Sequence, residues 1–194
     1  MKQDKYIWDE FKKEEDYALS YIYHHNIDFL FYYGKRFTKD EDFIHDVIQD
    51  LFFDLIRTRK NLGETDNIRL YLLKSFRRKL FRTIEKEKRQ VELKDKSETE
   101  PKIIFSVEED LIKDEDRSQK NKLIRKGMKE LNDKQREILY YKFTCGFDYD
   151  QICEIMSISY DSARKLVSRA ISSLRKYLSE NELFYLLIFR KLSI

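Results

Sequence analysis

The sequence predicts an all-α chain: a helical bundle, then a helix-turn-helix domain, joined by an acidic flexible linker. Three observations carry this. Apolar residues recur at helical spacing through most of the 194 residues. Only four glycines and one proline, Pro101, supply turns, too few for a sheet with many connections. Between residues 90 and 120 the periodicity stops and ten acidic residues stand against six basic ones. Two small domains fit this length.

The first block, residues 1–89, opens its helical pattern near Asp16. Tyr17, Leu19, Tyr21, Ile22 and Tyr23 begin it, and Ile27, Phe29, Leu30, Phe31, Tyr33 and Phe37 continue it. Residues 38–42 (TKDED) break it with side chains that cap helices. Phe43, Val47, Ile48, Leu51, Phe52, Leu55 and Ile56 then form a broad stripe at helical period. A second break covers residues 61–67. The last helix of the block is marked by Ile68, Tyr71, Leu72, Phe76, Leu80, Phe81 and Ile84. Burying each large apolar side chain contributes about 1.5–3 kcal/mol, so these helices can hold a core of their own.

Residues 90–121 read as a disordered tether, within which Ile103, Ile104 and Phe105 form an apolar island suited to docking. The pattern resumes from Leu123 into the second block, residues 122–194. Asn132 with Gln135 is a capping-box start for a helix carrying Ile138, Leu139, Tyr141 and Phe143. The stretch 147–178, FDYDQICEIMSISYDSARKLVSRAISSLRKYL, reads as two helices and a tight turn. Asp148 and Gln151 form a second capping box, and Ile152, Ile155 and Met156 give helical spacing. Cys153 is a small residue for a close helix approach. Ser159 can cap the next helix, where Ala163, Val167, Ala170 and Leu174 mark one buried stripe. Tyr160, Arg164, Lys165, Ser168 and Arg169 fall off that stripe and face outward. Such a helix suits a DNA major groove, and a solvated helical hairpin is the alternative. Leu183, Tyr185, Leu186, Ile188 and Leu192 make a short amphipathic tail, read as packing on this block.

Charged residues make up 39% of the chain and aromatics 14%, which excludes both a disordered and a membrane protein. The formal net charge of +3 decides nothing, but its distribution does. Residues 68–89 hold nine Lys or Arg against Glu85 and Glu87, a segregation that points to a polyanion. Cys145 and Cys153 lack metal-ligand spacing, so no metal and no cofactor is expected. The N-terminus has no signal-peptide core, and the expected location is the cytoplasm, with no membrane insertion. His24, His25 and His45 have no nucleophile around them, so the chain is read as a non-enzyme.

With these motifs in this order, the chain resembles an alternative sigma factor of bacterial RNA polymerase, of the extracytoplasmic function (ECF) group. The resemblance spans nearly everything but the tether and tail. Residues 42–53, DFIHDVIQDLFF, resemble the family's second-region helix, whose polar face docks on the clamp helices of core polymerase. By that resemblance Asp46, Gln49, Asp50 and Asp54 bind polymerase, and their spacing puts them on one helix face. Residues 61–67 fall where the family captures a base flipped from the minus-ten element, with Asn61, Thr65 and Asn67 to hydrogen-bond it. Residues 68–89 resemble the helix that supports melting. There Arg69, Lys74, Arg77, Arg78, Lys79 and Arg82 would meet phosphates, and Tyr71, Phe76 and Phe81 would either stack on bases or pack inside. Tyr71 stands where the family often has Trp. Residues 158–170, ISYDSARKLVSRA, resemble the minus-thirty-five reader. Ser162 stands at the usual Thr, Ala163 at the usual Val and Arg164 at the usual Lys. Leu166 replaces a common Arg, and Ser157 a common Gly.

The resemblance implies a transcription initiation factor whose partners are core RNA polymerase, promoter DNA and an anti-sigma factor at the membrane. The acidic tether would thread the polymerase cleft. Two other readings compete: a helix-turn-helix regulator that binds duplex operators without polymerase, and a helical adaptor whose basic faces are only solvated.

Overall fold

The computed structural model describes residues 2–91 and 126–179. The described residues are helical, with turns and loops between helices and no strand among them. The chain divides into two compact units, 1–104 and 105–194. The expected disordered tether, the 103–105 island and the C-terminal tail lie outside the described residues.

In the first unit α1 (Lys2–Lys12), α2 (Asp16–Gly34), α3 (Glu41–Thr58) and α4 (Ile68–Val91) pack around one core. The N-terminal helix α1 is an addition to the sequence reading, which began the pattern at Asp16. It is anchored by Ile7, Trp8 and Phe11, the last two fully buried. Ala18, Ile22, Phe29, Leu30 and Tyr33 give α2 its buried side, while Tyr17, Tyr23 and Tyr32 stay exposed. Gly34 lets α2 and α3 approach closely: a Cβ there would lie 2.7 Å from Ile44 Cγ2. The 38–42 break ends at Asp40, whose carboxylate accepts from the Phe43 amide at 2.9 Å and caps α3. On α3 the buried stripe is Ile44, Val47, Ile48, Leu51, Phe52 and Leu55. Ile56, expected inside, is exposed, and Ile44 takes a core place that the sequence reading left empty. The last helix continues to Val91, so the first two residues of the expected tether are helical.

In the second unit residues 126–129 are helical and lead to α5 (Asp133–Leu139), α6 (Tyr149–Met156) and α7 (Tyr160–Leu174). Both expected capping boxes are present, Asn132 with Gln135 and Asp148 with Gln151, each satisfying two amide donors reciprocally. Beyond α5 the backbone loosens into a π-helical turn over Tyr140–Thr144. Glu137 is buried beneath it, and its carboxylate accepts from the Tyr141 hydroxyl at 2.7 Å. Helix α7 packs on both α5 and α6 through Ala163, Val167, Ala170 and Leu174, the four residues the spacing selected.

Candidate nucleic-acid and polymerase interfaces

The segment between α3 and α4 is the candidate minus-ten loop. A 3-10 turn over Arg59–Asn61 leads into it. Asn61 ends that turn with its side chain exposed. Thr65 and Asn67 are occupied differently. The Thr65 hydroxyl accepts from the Asn67 amide at 3.2 Å, and Asn67 Oδ1 accepts from the Leu70 amide at 2.9 Å. Both hold the start of α4, so the loop spends on its own backbone part of the hydrogen bonding the sequence reading reserved for a base.

Along α4, Lys74, Arg78 and Arg82 recur every four residues and are all exposed, which makes a basic ridge beginning about two turns past the loop. Arg69 is exposed as well, with its guanidinium over the Phe29 ring at 4.8 Å. Arg77 is half-buried and lies 4.4 Å over the Phe81 ring. Lys79 differs from its neighbours: its ammonium donates to Asp54 at 2.7 Å and stands 3.6 Å from Asp50. It joins α4 to α3 and is not a member of the basic ridge. Of the aromatics that could stack on bases, Phe76 is fully buried, Phe81 packs 5.0 Å from Phe37, and Tyr71 meets Trp8 at 4.7 Å. All three serve the core or its margin.

The acidic stripe of α3 resolves into two parts. Asp46, Gln49 and Asp50 are exposed. Asp54 is turned toward α4 and held between Lys79 and Arg57, the latter at 2.9 Å. Eight residues at 3.6 per turn rotate it about 80° from Asp46, enough to leave the outward face. The Lys79 ammonium, with Arg57 beside it, pulls the Asp54 carboxyl below its ordinary value. The residue that does share the Asp46 face is Phe53, about two turns on and 65% exposed. Sequence reasoning gave Phe53 no role of its own. Its seven-residue spacing from Asp46 was the available signal.

In the second unit Tyr160, Arg164, Lys165, Ser168 and Arg169 are all exposed on α7, opposite the buried stripe. Ser159 caps the helix by accepting from the Ser162 amide. Tyr160 leans on Tyr149 of α6 at 5.4 Å, which ties the start of the outward face to the preceding helix. The turn between α6 and α7 is closed by Ser157 in the left-handed region, φ 55°. Leu166 is half-buried at the edge of the packed side. Cys153 is half-buried rather than enclosed, and burial pushes its thiol up. No group of side chains able to hold a metal is found among the described residues, and no described helix is long and apolar enough to cross a membrane.

Comparison with known proteins finds a family match on each block. The model of sigma-70 region 2 matches residues 22–90, and that of sigma-70, region 4 matches residues 122–174. Among curated proteins no relative matches by sequence. The structure is similar to that of CnrH in complex with the cytosolic domain of CnrY. The TM-score is 0.58 at 13% identity, over 89% of this chain and 95% of that one. It is also similar to the sigma factor RpoE in complex with the anti-sigma factor NepR from Bartonella quintana. There the TM-score is 0.57 at 19% identity, over 87% of this chain and 96% of that one. At these identities the likeness is one of fold. The two family matches fall in chain order on the two blocks, and together they span well over half of the sequence. The chain belongs to the sigma-70 family of RNA polymerase sigma factors.

Proposed function

We propose a division of labour along the chain: residues 1–89 engage core polymerase and the minus-ten element, 90–121 connect, and 122–194 read the minus-thirty-five element. The observation that carries it is the ridge of Lys74, Arg78 and Arg82, exposed along one side of α4, the helix that follows the loop at 61–67. A single strand separated at the minus-ten element presents phosphates in a row, and a row of cations at one-turn spacing can follow it. Asn61 is the loop side chain available to a flipped base, with Thr65 and Asn67 shaping the loop. On α3, Asp46, Gln49 and Asp50 form the polar part of the surface offered to the clamp helices. On α7, Arg164 and Lys165 reach base edges or phosphates, while Tyr160, Ser168 and Arg169 border them.

The protein acts as an initiation factor rather than an enzyme, in the cytoplasm, and an anti-sigma factor restrains it. The support for that last partner is that the similar folds of CnrH and RpoE are held in complexes, RpoE with an anti-sigma factor. Permanganate footprinting on a promoter selected by the holoenzyme tests the central assignment. Arg78→Ala with Arg82→Ala should reduce melted thymines and flatten the salt dependence of melting, because phosphate contacts release counterions. Unchanged melting would return the ridge to a solvated face.

A further inference from the structure

Resting on the reading that the loop at 61–67 meets the melted minus-ten strand, we infer that α1 is the positioning strut of that loop and thereby a determinant of promoter discrimination. Helix α1 lies ahead of residues 22–90, the part matched by the region 2 model. It nevertheless touches the segment 59–68 from end to end. The Glu14 carboxylate, just after α1, meets Arg59 at 3.0 Å and Lys60 at 3.2 Å. The Trp8 indole N–H donates to the Gly63 carbonyl at 2.8 Å. Asp4 Oδ2 accepts from the Ile68 amide at 3.0 Å, where α4 begins. The Trp8 ring also meets Tyr71 in the first turn of α4 at 4.7 Å.

Two features make this a strut for a binding loop rather than ordinary packing. The central contacts take loop backbone, the Gly63 carbonyl and the Ile68 amide, and leave Asn61 and Asp66 exposed; Glu64 is exposed as well, with its carboxylate 3.8 Å from the Lys5 ammonium of α1. The loop's own bonds lie at its two ends: the Leu62 amide donates to the Arg59 carbonyl at 3.3 Å, and Thr65, Asn67 and Leu70 are bonded among themselves, with Gly63 between them. Its path through Gly63 is therefore set from α1, whose Trp8 and Phe11 are fully buried in the core. Extracting a base costs unstacking energy, and a loop that must also be ordered on binding adds to that cost. A loop already held in place avoids this, and discriminates better because a wrong base cannot be met by rearrangement.

The test uses the full chain with core polymerase on two promoters that differ at one minus-ten base. The readout is the ratio of their rates of open-complex formation. Trp8→Phe keeps a buried ring and removes the indole N–H, Asp4→Ala removes the acceptor, and Asp4→Asn keeps one. Losing one such bond is expected to lower the ratio about threefold to tenfold in Trp8→Phe and Asp4→Ala, with Asp4→Asn near wild type. Core binding and helix content should hold, and hydrogen exchange at the Ile68 amide should quicken in Asp4→Ala. Asn61→Ala separates the two ideas. If it lowers the ratio while folded Trp8→Phe and Asp4→Ala leave it unchanged, or slow both promoters equally, α1 is only core and the inference is overturned. If Asn61→Ala also leaves the ratio unchanged, the loop does not read the base, and the underlying reading falls with it. Should Trp8→Phe fail to fold, the Asp4 pair decides alone.

Discussion

Ser157 shows how one residue can set the geometry of a DNA-reading unit at a cost. It ends α6 at φ 55°, ψ 46°, a conformation that crowds an L side chain against its own carbonyl. Glycine avoids that crowding, so Ser157→Gly should stabilise the second unit by about 1 kcal/mol, seen as a raised midpoint in urea denaturation. A lowered midpoint would mean that the serine makes a compensating bond. At Arg164 the expected effect is on recognition. Arg164→Ala should cost about 1–3 kcal/mol in binding and relax preference at one minus-thirty-five position, measured by competition against single-base variants. An equal loss on every sequence would assign Arg164 to phosphate. The sequence marks Ser157 only as standing in place of a common Gly. The outward placement of Arg164 was legible in the sequence, because apolar residues at steps of four, three and four leave a single solution for which side is buried. Thr65 and Asn67 were less so. Residues that bond a base and residues that cap a helix are of the same types, and only the distances to the Asn67 and Leu70 amides separate the roles.

At the scale of elements, the α2–α3 and α3–α4 contacts are the sensitive ones. Gly34→Ala would push a methyl against fully buried Ile44, and overpacking of this kind costs about 1–3 kcal/mol. Thermal unfolding should show it as a lowered midpoint of the first unit. The α3–α4 tie is electrostatic and carries a pH signature. With Lys79 as the larger cause and Arg57 as the lesser, the Asp54 carboxyl is held below its ordinary value. A carboxyl lowered in the folded state adds stability above its unfolded pKa and loses it as pH falls through the lowered value. Asp54→Asn should therefore weaken the fold at neutral pH, and the difference from wild type should close in acid, measured by urea titrations at both. An offset that persists in acid would contradict an electrostatic tie. Sequence periodicity missed this pair because Lys79 lies 25 residues away, across a loop, and helical spacing reports only neighbours on the same helix. It also missed α1, whose Ile7, Trp8 and Phe11 are few among charged residues and gain meaning only when α2 and α4 close over them.

For the whole molecule, the distribution of charge anticipated function better than its total. A net charge of +3 is ordinary, yet the basic ridge of α4 and the outward face of α7 fall in the two separate units that match sigma-70 regions 2 and 4. Each unit buries a periodic apolar stripe of its own, and that periodicity is what the sequence makes legible. The central claim is that this chain gives core polymerase a promoter. The most direct measurement is reconstituted transcription, with the full chain and core polymerase on a library of promoter fragments, scored by sequencing the transcripts. The expected result is initiation only when the chain is present, from fragments sharing one minus-thirty-five and one minus-ten sequence, with bases melted at the latter. Capture of the same fragments by the chain alone, without association with core polymerase or any start site, would contradict the account and make it a duplex-binding regulator.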